Sequence, residues 1–423
     1  MIKKLTSLFC IVLLLAGAAV ASGVIPPKEE HRQQETVFAS GDTLYFWYTD
    51  DSLTEYLTNV SASYYEESGN HVIPVLQSGL EYLETINTLS VHPTEDSPPM
   101  PDLYVISNDS LEKAYLAGLA AEIDDGGNVC NTDTFPQTAL DAVTYQEKYV
   151  AYPFYYETSA FLYNKTYMEE GEHQVPRTID DILAFAETYD APEQVEAVFK
   201  WVVSDIFYNY YFTGNYMVVG GEAGDDPGQI DIDNDKTREC LMIYQNLNQF
   251  FSIDTKEVTY DTVLQDFIDG KIVMTVATTG AVARLEEAKA SGAFPYEYGI
   301  TVMPDLTASL KGRSLSVTNG IVINGYSEKA EIANDFVIFL TKNHAEGLYD
   351  HTGKIASRYG IQYENRNVAE FMDEYENSIS MPKLLGTGNY WVQLEICFSR
   401  AWKGENVEEL LSELAAQIKR QIV

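Results

Sequence analysis

Carboxylates standing beside aromatic rings recur along this chain. Tyr48 is followed by Asp50 and Asp51, and Tyr155 and Tyr156 by Glu157. Glu81 and Asp109 stand just past short apolar runs. Tyr208 lies inside the cluster Phe207 to Phe212, and Trp391 follows Tyr390. Tyrosine alone supplies 30 of the 423 residues. A phenol ring offers a flat apolar face with a polar tip, and an ionised carboxylate is a pure acceptor with room for several donors. Together they suit a ligand whose C–H faces are apolar and whose edges carry hydroxyls, as a sugar's do. Such recognition needs no proton transfer. Part of each aromatic cluster must also be core, since 48 tyrosines and phenylalanines cannot all face one ligand.

Other chemistries find less support. Thr278-Thr279-Gly280 follows the apolar run Ile272 to Val276. It sets hydroxyls and a backbone donor at the carboxyl end of a strand, where open α/β sheets bind ligands, although an ordinary strand-to-helix turn reads the same way. Asp225 to Asp235 is acid-rich. A calcium loop begun at Asp231 would need Gly at its sixth position and Glu at its twelfth, and Lys236 and Met242 stand there instead. A solvated loop leading into a helix N-cap accounts for it better. The six histidines are scattered, with no second ligand at metal spacing. Neither a phosphate-binding glycine loop nor a Gly-x-Ser-x-Gly elbow occurs. The acids are numerous enough for a glycosidase pair, but none is singled out. The sequence therefore nominates no catalytic residue, metal ligand or cofactor.

Positioning these side chains falls to alternating strands and helices. Leu44 to Tyr48 is apolar throughout, as a strand buried on both faces would be. Ser52 to Glu67 has helical spacing, His71 to Leu76 reads as a strand, Leu80 to Leu89 as a helix, and Leu103 to Ile106 as a strand. Further on, Ile179 to Tyr189 reads as a helix capped by Thr178, with Asp181 three residues later. Asn234-Asp235 opens another helix running to Phe250. Gly270 separates a helix end from a strand through Thr275, and Tyr298 to Met303 and Gly320 to Asn324 are further strands. Ala330 to Leu340 and Val407 to Ile422 are helical. This alternation predicts an α/β fold, a mainly parallel sheet with helices on both faces. The length suffices for two lobes of ordinary size.

The chain opens with Lys3-Lys4, an apolar run from Leu8 to Leu15, and the small-residue site Ala19-Val20-Ala21. That is the layout of a secretory signal cleaved near Ala21. Residues 22–41, with Pro26-Pro27 and a polar run, read as a flexible leader. Cys10 sits mid-run behind bulky residues, so a lipid-anchor reading is set aside. Formal charge is −37, and a field of that sign opposes nucleic acid and anionic lipid, both of which need a basic footprint. Cys130, Cys240 and Cys397 are widely spaced and form no zinc pattern; buried thiols are expected, with a disulfide unassignable from spacing.

Two segments carry a resemblance. One runs from Pro101-Asp102-Leu-Tyr-Val-Ile-Ser-Asn-Asp109 to Gly118-Leu-Ala-Ala-Glu-Ile-Asp124; the other is Ala151-Tyr-Pro-Phe-Tyr-Tyr-Glu157-Thr-Ser-Ala-Phe-Leu-Tyr-Asn-Lys165. In order and spacing they resemble family 1 extracellular solute-binding proteins of ABC importers, the maltose and oligosaccharide group in particular. The resemblance extends from about Thr43 to the C-terminus. It implies a type II periplasmic-binding-protein-like fold, with two α/β lobes joined by crossover strands and a ligand cleft that closes by hinge bending. Residues 42–153 with about 274–326 would form lobe 1, and 154–273 with about 327–423 lobe 2.

By the same resemblance, Glu157 falls where the oligosaccharide binders place a hinge-region acid, and Asp109 where they place a first-lobe aspartate. Asp50 and Asp51 match their first-strand loop, Glu81 their acid after the second strand, and Trp391 their C-terminal stacking tryptophan. Two departures stand out. Thr278 to Gly280 has no tryptophan, and Ile106 replaces an aromatic, which argues against a long maltodextrin; Tyr155, Tyr156 and Tyr208 are available for a different sugar. The expectation is a secreted, monomeric, non-enzymatic protein that passes a carbohydrate to the membrane subunits of an importer. Asp50, Asp51, Glu81, Asp109, Glu157 and Thr279 would bond hydroxyls, and Tyr48, Tyr155, Tyr156, Tyr208 and Trp391 would wall the cleft. A polyamine binder on the same scaffold, a secreted glycan hydrolase and a surface sensor or adhesin remain open as rivals.

Overall fold

A computed structural model describes residues 41–423 except 95, 124–128, 252, 255–257, 385–387 and 423. The expected signal, the leader up to residue 40 and Cys10 lie outside the described residues.

Ten strands form one curled sheet. They are β1 (Thr43–Tyr48), β2 (His71–Leu76), β3 (Leu103–Ser107), β4 (Tyr152–Asn164), β5 (Ala197–Phe199), β6 (Ile272–Thr278), β7 (Tyr298–Thr301), β8 (Leu315–Ile323), β9 (Ile355–Ala356) and β10 (Ile379–Ser380). The main path runs β2-β1-β3-β8-β4-β6-β5. β1 pairs in parallel with β2 and β3, as the strand–helix alternation predicted. β8 returns antiparallel between β3 and β4.

The sheet belongs to two lobes because β4 spans both. Its first half, Tyr152 to Thr158, pairs with β8 and β9; its second half, Ser159 to Asn164, pairs with β6 and β7. Eleven of its thirteen residues are buried, so it passes through the core rather than along an edge. β6 and β7 thus pair with β4's second half, and β8 with its first half. Hydropathy alone gives no sign of which neighbour a buried strand chooses.

The helices that concern the site are α1 (Thr54–Ser68), α2 (Tyr82–Val91), α3 (Ile179–Thr188), α4 (Ile206–Asn209), α5 (Asp235–Phe251), α6 (Tyr260–Ile268), α7 (Ala281–Ser291), α8 (Ala330–Phe339), α9 (Gly347–Thr352), α10 (Arg366–Asn377), α11 (Gly388–Trp402) and α12 (Val407–Ile422). Local chemistry sets their ends. Thr178 and Asp181 form the expected reciprocal capping box at the start of α3, which satisfies two otherwise orphaned donors. Asn234 accepts from Thr237 N at 2.9 Å, so the acid-rich loop ends in a helix cap, as read. Gly69 and Gly353 close α1 and α9 with φ of +76° and +71°, a region open to glycine and costly for other residues.

α8 packs on lobe 1. Phe336 meets Phe46 of β1 and Tyr64 of α1 edge-on, at 5.9 and 5.1 Å between centroids. Tyr64 Oη also donates to Asp335 at 2.8 Å. In lobe 2, Trp201 is fully buried and stacks on Phe199 at 4.6 Å, with Trp402 of α11 edge-on at 5.6 Å. Rings of this size account for much of the apolar area removed from water, at roughly 25 cal/mol per Å². Most of the chain's aromatic content is therefore structural.

Candidate functional site

A cavity of about 320 Å³ opens at the carboxyl ends of β1, β2 and β3. Its lining includes Asp50 and Thr49 after β1, Gly79 and Glu81 to Glu84 after β2, Ser107 and Ser110 at the end of β3, Lys113, Tyr155 of β4 and Asn319 of β8. Carboxyl ends of strands are where the chain leaves the sheet and polar side chains and loop amides can converge on a ligand.

Each lining carboxylate is held differently. Asp50 Oδ1 accepts from Ser52 N at 3.0 Å and Ser52 Oγ at 2.7 Å, which caps the short turn that follows. Its Oδ2 pairs with Lys354 Nζ at 2.6 Å. Burial pushes the Asp50 pKa up, but the Lys354 ammonium and the Ser52 bonds outweigh it and hold the carboxyl below its ordinary value. Glu84 pairs with Lys113. Glu81 takes φ +53° in the left-handed region, with no side-chain cap. Non-glycine residues seldom pay that strain of roughly 1–2 kcal/mol except where structure or function demands it.

A second group gathers around Glu157. Thr279 is 2% exposed and donates its hydroxyl to Glu157 Oε2. Tyr208 of α4 stacks on Tyr260 of α6 at 5.5 Å with planes 9° apart, and Tyr260 Oη accepts from Thr278 N and Oγ1 at 3.2 and 2.9 Å. Burial lifts the Tyr155 and Tyr208 hydroxyls well above the usual phenol range, and the Glu157 charge adds to it at both. Asp50 acts on Tyr155 in the same sense. Tyr155 thus lies between the two groups, and these phenols stay neutral donors at any physiological pH.

The sequence-nominated residues divide on this geometry. Asp50, Glu81 and Tyr155 line the cavity; Glu157, Thr279 and Tyr208 form the second group. Asp109 is half-buried at the end of β3, where it accepts from Ser107 Oγ. Asp51 is exposed beside Asp50 and accepts from Thr54 Oγ1 at 3.1 Å. Trp391 lies in α11, partly buried, with Tyr390 at 4.8 Å and Tyr210 at 5.7 Å.

Two nominated rings are packed in the core in this structure. Tyr48 is 1% exposed, its hydroxyl donating to Thr54 Oγ1 at 2.9 Å. Tyr156 is fully buried and stacked on Tyr375 at 3.9 Å. Alternation along a strand explains the second case, because Tyr155 and Tyr156 must point to opposite faces. Lys354, Lys113, Tyr82, Asn319 and Tyr260 were not nominated. Gly353 marks the helix stop before Lys354, but no spacing in the sequence points from Lys354 to Asp50.

Among the described residues no cluster of His, Cys, Asp and Glu could hold a metal, and no helix is long and apolar enough to cross a membrane. Cys240 and Cys397 are buried thiols, pushed up to about 12 by burial; Cys130 is buried too.

The model of one protein family, described as bacterial extracellular solute-binding protein, matches residues 61–363, well over half the chain. The chain belongs to that family. Members are binding proteins rather than enzymes, and the family is an extracytoplasmic one. Maltodextrin-binding protein MdxE of Bacillus subtilis is 20% identical over 390 residues, covering 88% of each chain. A maltotriose-binding protein of Pyrococcus abyssi is 24% identical over 208 residues, 49% of this chain and 42% of that one. Among solved structures, an extracellular solute-binding protein from Staphylococcus aureus in complex with maltose superposes with a TM-score of 0.79 at 21% identity, over 91% of this chain and 98% of the other. A cyclo/maltodextrin-binding protein complexed with maltotetraose gives a TM-score of 0.75 at 21% identity, over 91% and 98%. The two-lobed fold read from the sequence is the fold of these solute-binding proteins.

Proposed function

We propose that this solute-binding protein captures a short malto-oligosaccharide between its lobes and delivers it to the membrane subunits of an ABC importer, acting as a monomer after signal cleavage near Ala21. The observation that carries this reading is the convergence of Asp50, Glu81 and Tyr155 in one cavity at the strand ends, with Glu157, which acts on both Tyr155 and Tyr208, held by Thr279. The similarity to maltodextrin- and maltotriose-binding proteins supports the ligand class.

In this reading Asp50, Asp51, Glu81, Asp109 and Glu157 accept from sugar hydroxyls. Tyr155 and Tyr208 supply neutral O–H donors and ring faces, and Trp391 stacks from the second lobe. Lobe 1 comprises about 42–158 and 315–356, and lobe 2 about 159–301 and 366–423. The hinge is then the middle of β4 with the segments 302–314 and 357–365. Only closure brings both groups onto one ligand, so ligand binding favours the closed state.

A thermal-shift screen of residues 22–423 against maltose through maltoheptaose, spermidine and amino acids tests this. A ligand at one hundred times its Kd should stabilise by about 2.7 kcal/mol. A shift with short malto-oligosaccharides, without their breakdown, is expected. A shift with spermidine or amino acids and none with any glucan would sink the sugar assignment.

A further inference from the structure

The corner of the cavity formed by Asp50 and Tyr155 has the composition of an ammonium site. A carboxylate beside an aromatic face is what recognises an alkylammonium, through charge-assisted hydrogen bonding and cation–π attraction. Here that place is already filled by the protein. Lys354 Nζ lies 2.6 Å from Asp50 Oδ2 and 4.7 Å from the Tyr155 ring centroid. The Lys354 side chain is only 14% exposed, so its ammonium is packed against Asp50 and Tyr155, two residues that line the cavity, and does not wave above them.

The backbone fixes that placement. Gly353 stops α9 in the left-handed region. The chain then enters β9, whose Ile355 and Ala356 pair with Tyr156 and Tyr155 of β4. Lys354 is therefore delivered beside Tyr155 by strand pairing, not by side-chain reach alone. A second internal pair, Lys113 with Glu84, stands in the same cavity. Of the three lining acids, Glu81 is the one without a salt bridge among the described residues. A chain with 64 acids and 27 lysines and arginines thus pairs two of its three lining acids internally.

We propose that Lys354 is the specificity-determining residue of the cleft: its ammonium occupies the corner a cationic ligand would take, and so reserves the site for neutral hydroxyls. This rests on the cavity being the ligand site. With Lys354 in place, Asp50 keeps its charge and its remaining lone pairs for hydroxyl donors, while an incoming ammonium meets a like charge and an occupied ring face. Without Lys354, Asp50 and Tyr155 become an open cation box.

The test is calorimetric titration of the wild type, Lys354→Met and Lys354→Arg with maltotriose and with spermidine. The wild type should prefer maltotriose. Lys354→Met should lose at least about tenfold for maltotriose and gain at least about tenfold for spermidine, and Lys354→Arg should keep the wild-type order. A Lys354→Met protein with the wild-type ratio of the two affinities would overturn the proposal. If Lys354→Met does not fold, Lys354→Gln, one bond shorter and uncharged but with a donor toward Asp50, reads the same ratio by the same criteria. A wild type that binds no maltotriose counts against the sugar reading alone, since the gain of spermidine binding on removing Lys354 is read independently of which sugar fits.

Discussion

Two carboxylates near the middle of the molecule meet burial in opposite ways. Asp50, on the cavity wall, has a lysine at 2.6 Å and is held below its ordinary pKa. Glu374, on α10, is 2% exposed and has no such partner. It accepts from Met303 N at 2.6 Å and from Ser314, at the two ends of the crossover between β7 and β8. Arg313 is close, but it donates to the carbonyls of Asn377 and Ser378 at 2.7 and 2.8 Å. Burial pushes the Glu374 pKa up to about 7, against the pull of the Ser314 and Met303 bonds. An acid on the cavity wall is kept charged by a fixed cation; an acid that ties a crossover is buried and tends toward its proton-bearing form.

Breaking the buried tie should give the largest effect. Glu374→Ala removes the acceptor for Met303 N and leaves a void, so about 2–5 kcal/mol of stability should be lost in urea unfolding. Glu374→Gln separates charge from contact. A folded pKa raised above the unfolded value means that the native state holds a proton the unfolded state has released. The contribution of Glu374 is then fully present below about pH 4.5 and declines as pH rises through about 7. Glu374→Gln keeps an acceptor for Met303 N and should flatten that decline, gaining on the order of 1–3 kcal/mol over wild type at pH 8. A wild type whose stability is level between pH 4.5 and 8, with no gain for the glutamine variant, would show that Glu374 stays charged in the core.

The cleft side of the comparison should respond in affinity and not in stability. Glu157 is half-buried and accepts from Thr279. Glu157→Gln leaves that bond makeable but removes the charge that strengthens bonds from ligand hydroxyls, which are worth about 1.5–3 kcal/mol when charge-assisted. Maltotriose affinity should fall about tenfold to a hundredfold, with Tm within a few degrees of wild type. A large drop in Tm with unchanged affinity would move Glu157 to the structural class beside Glu374.

The same contrast explains what could be read from the sequence. Elements governed by near neighbours were legible: the capping box of Thr178 and Asp181, the helix after Asn234, the strand after Gly270. Acids were nominated through the resemblance, which matches Asp50, Asp51, Glu81 and Asp109 to positions past the first three strands and Glu157 to the crossover strand. Aromatic residues were not separable by type, since Tyr155 and Tyr156 are identical in chemistry and differ only in the face of β4 that each occupies. The strand partners of β6, β7 and β8 were not legible, because a buried strand carries no mark of its partner. Lys354 was invisible for a stronger reason: it meets Asp50 only through the pairing of β9 with β4, a contact between distant parts of the chain.

Trp391 sharpens the comparison at its smallest scale, because it belongs partly to each class. Its ring meets Tyr210 and Tyr390, both buried, at 5.7 and 4.8 Å, and the residue itself is only partly buried. A ring that is half anchor and half platform should give up something of each when removed. Trp391→Ala should weaken maltotriose binding by about tenfold, near 1.4 kcal/mol, and cost about 1–2 kcal/mol of stability through lost contact with its two neighbours. Trp391→Phe retains an apolar ring against Tyr210 and should recover most of the stability. If the sugar stacks on the exposed part of the indole, the smaller ring should recover less of the affinity. Equal recovery of both would mean that the ring's only work is packing, and that the second-lobe wall of the cleft is made by Tyr208 and Tyr260 alone.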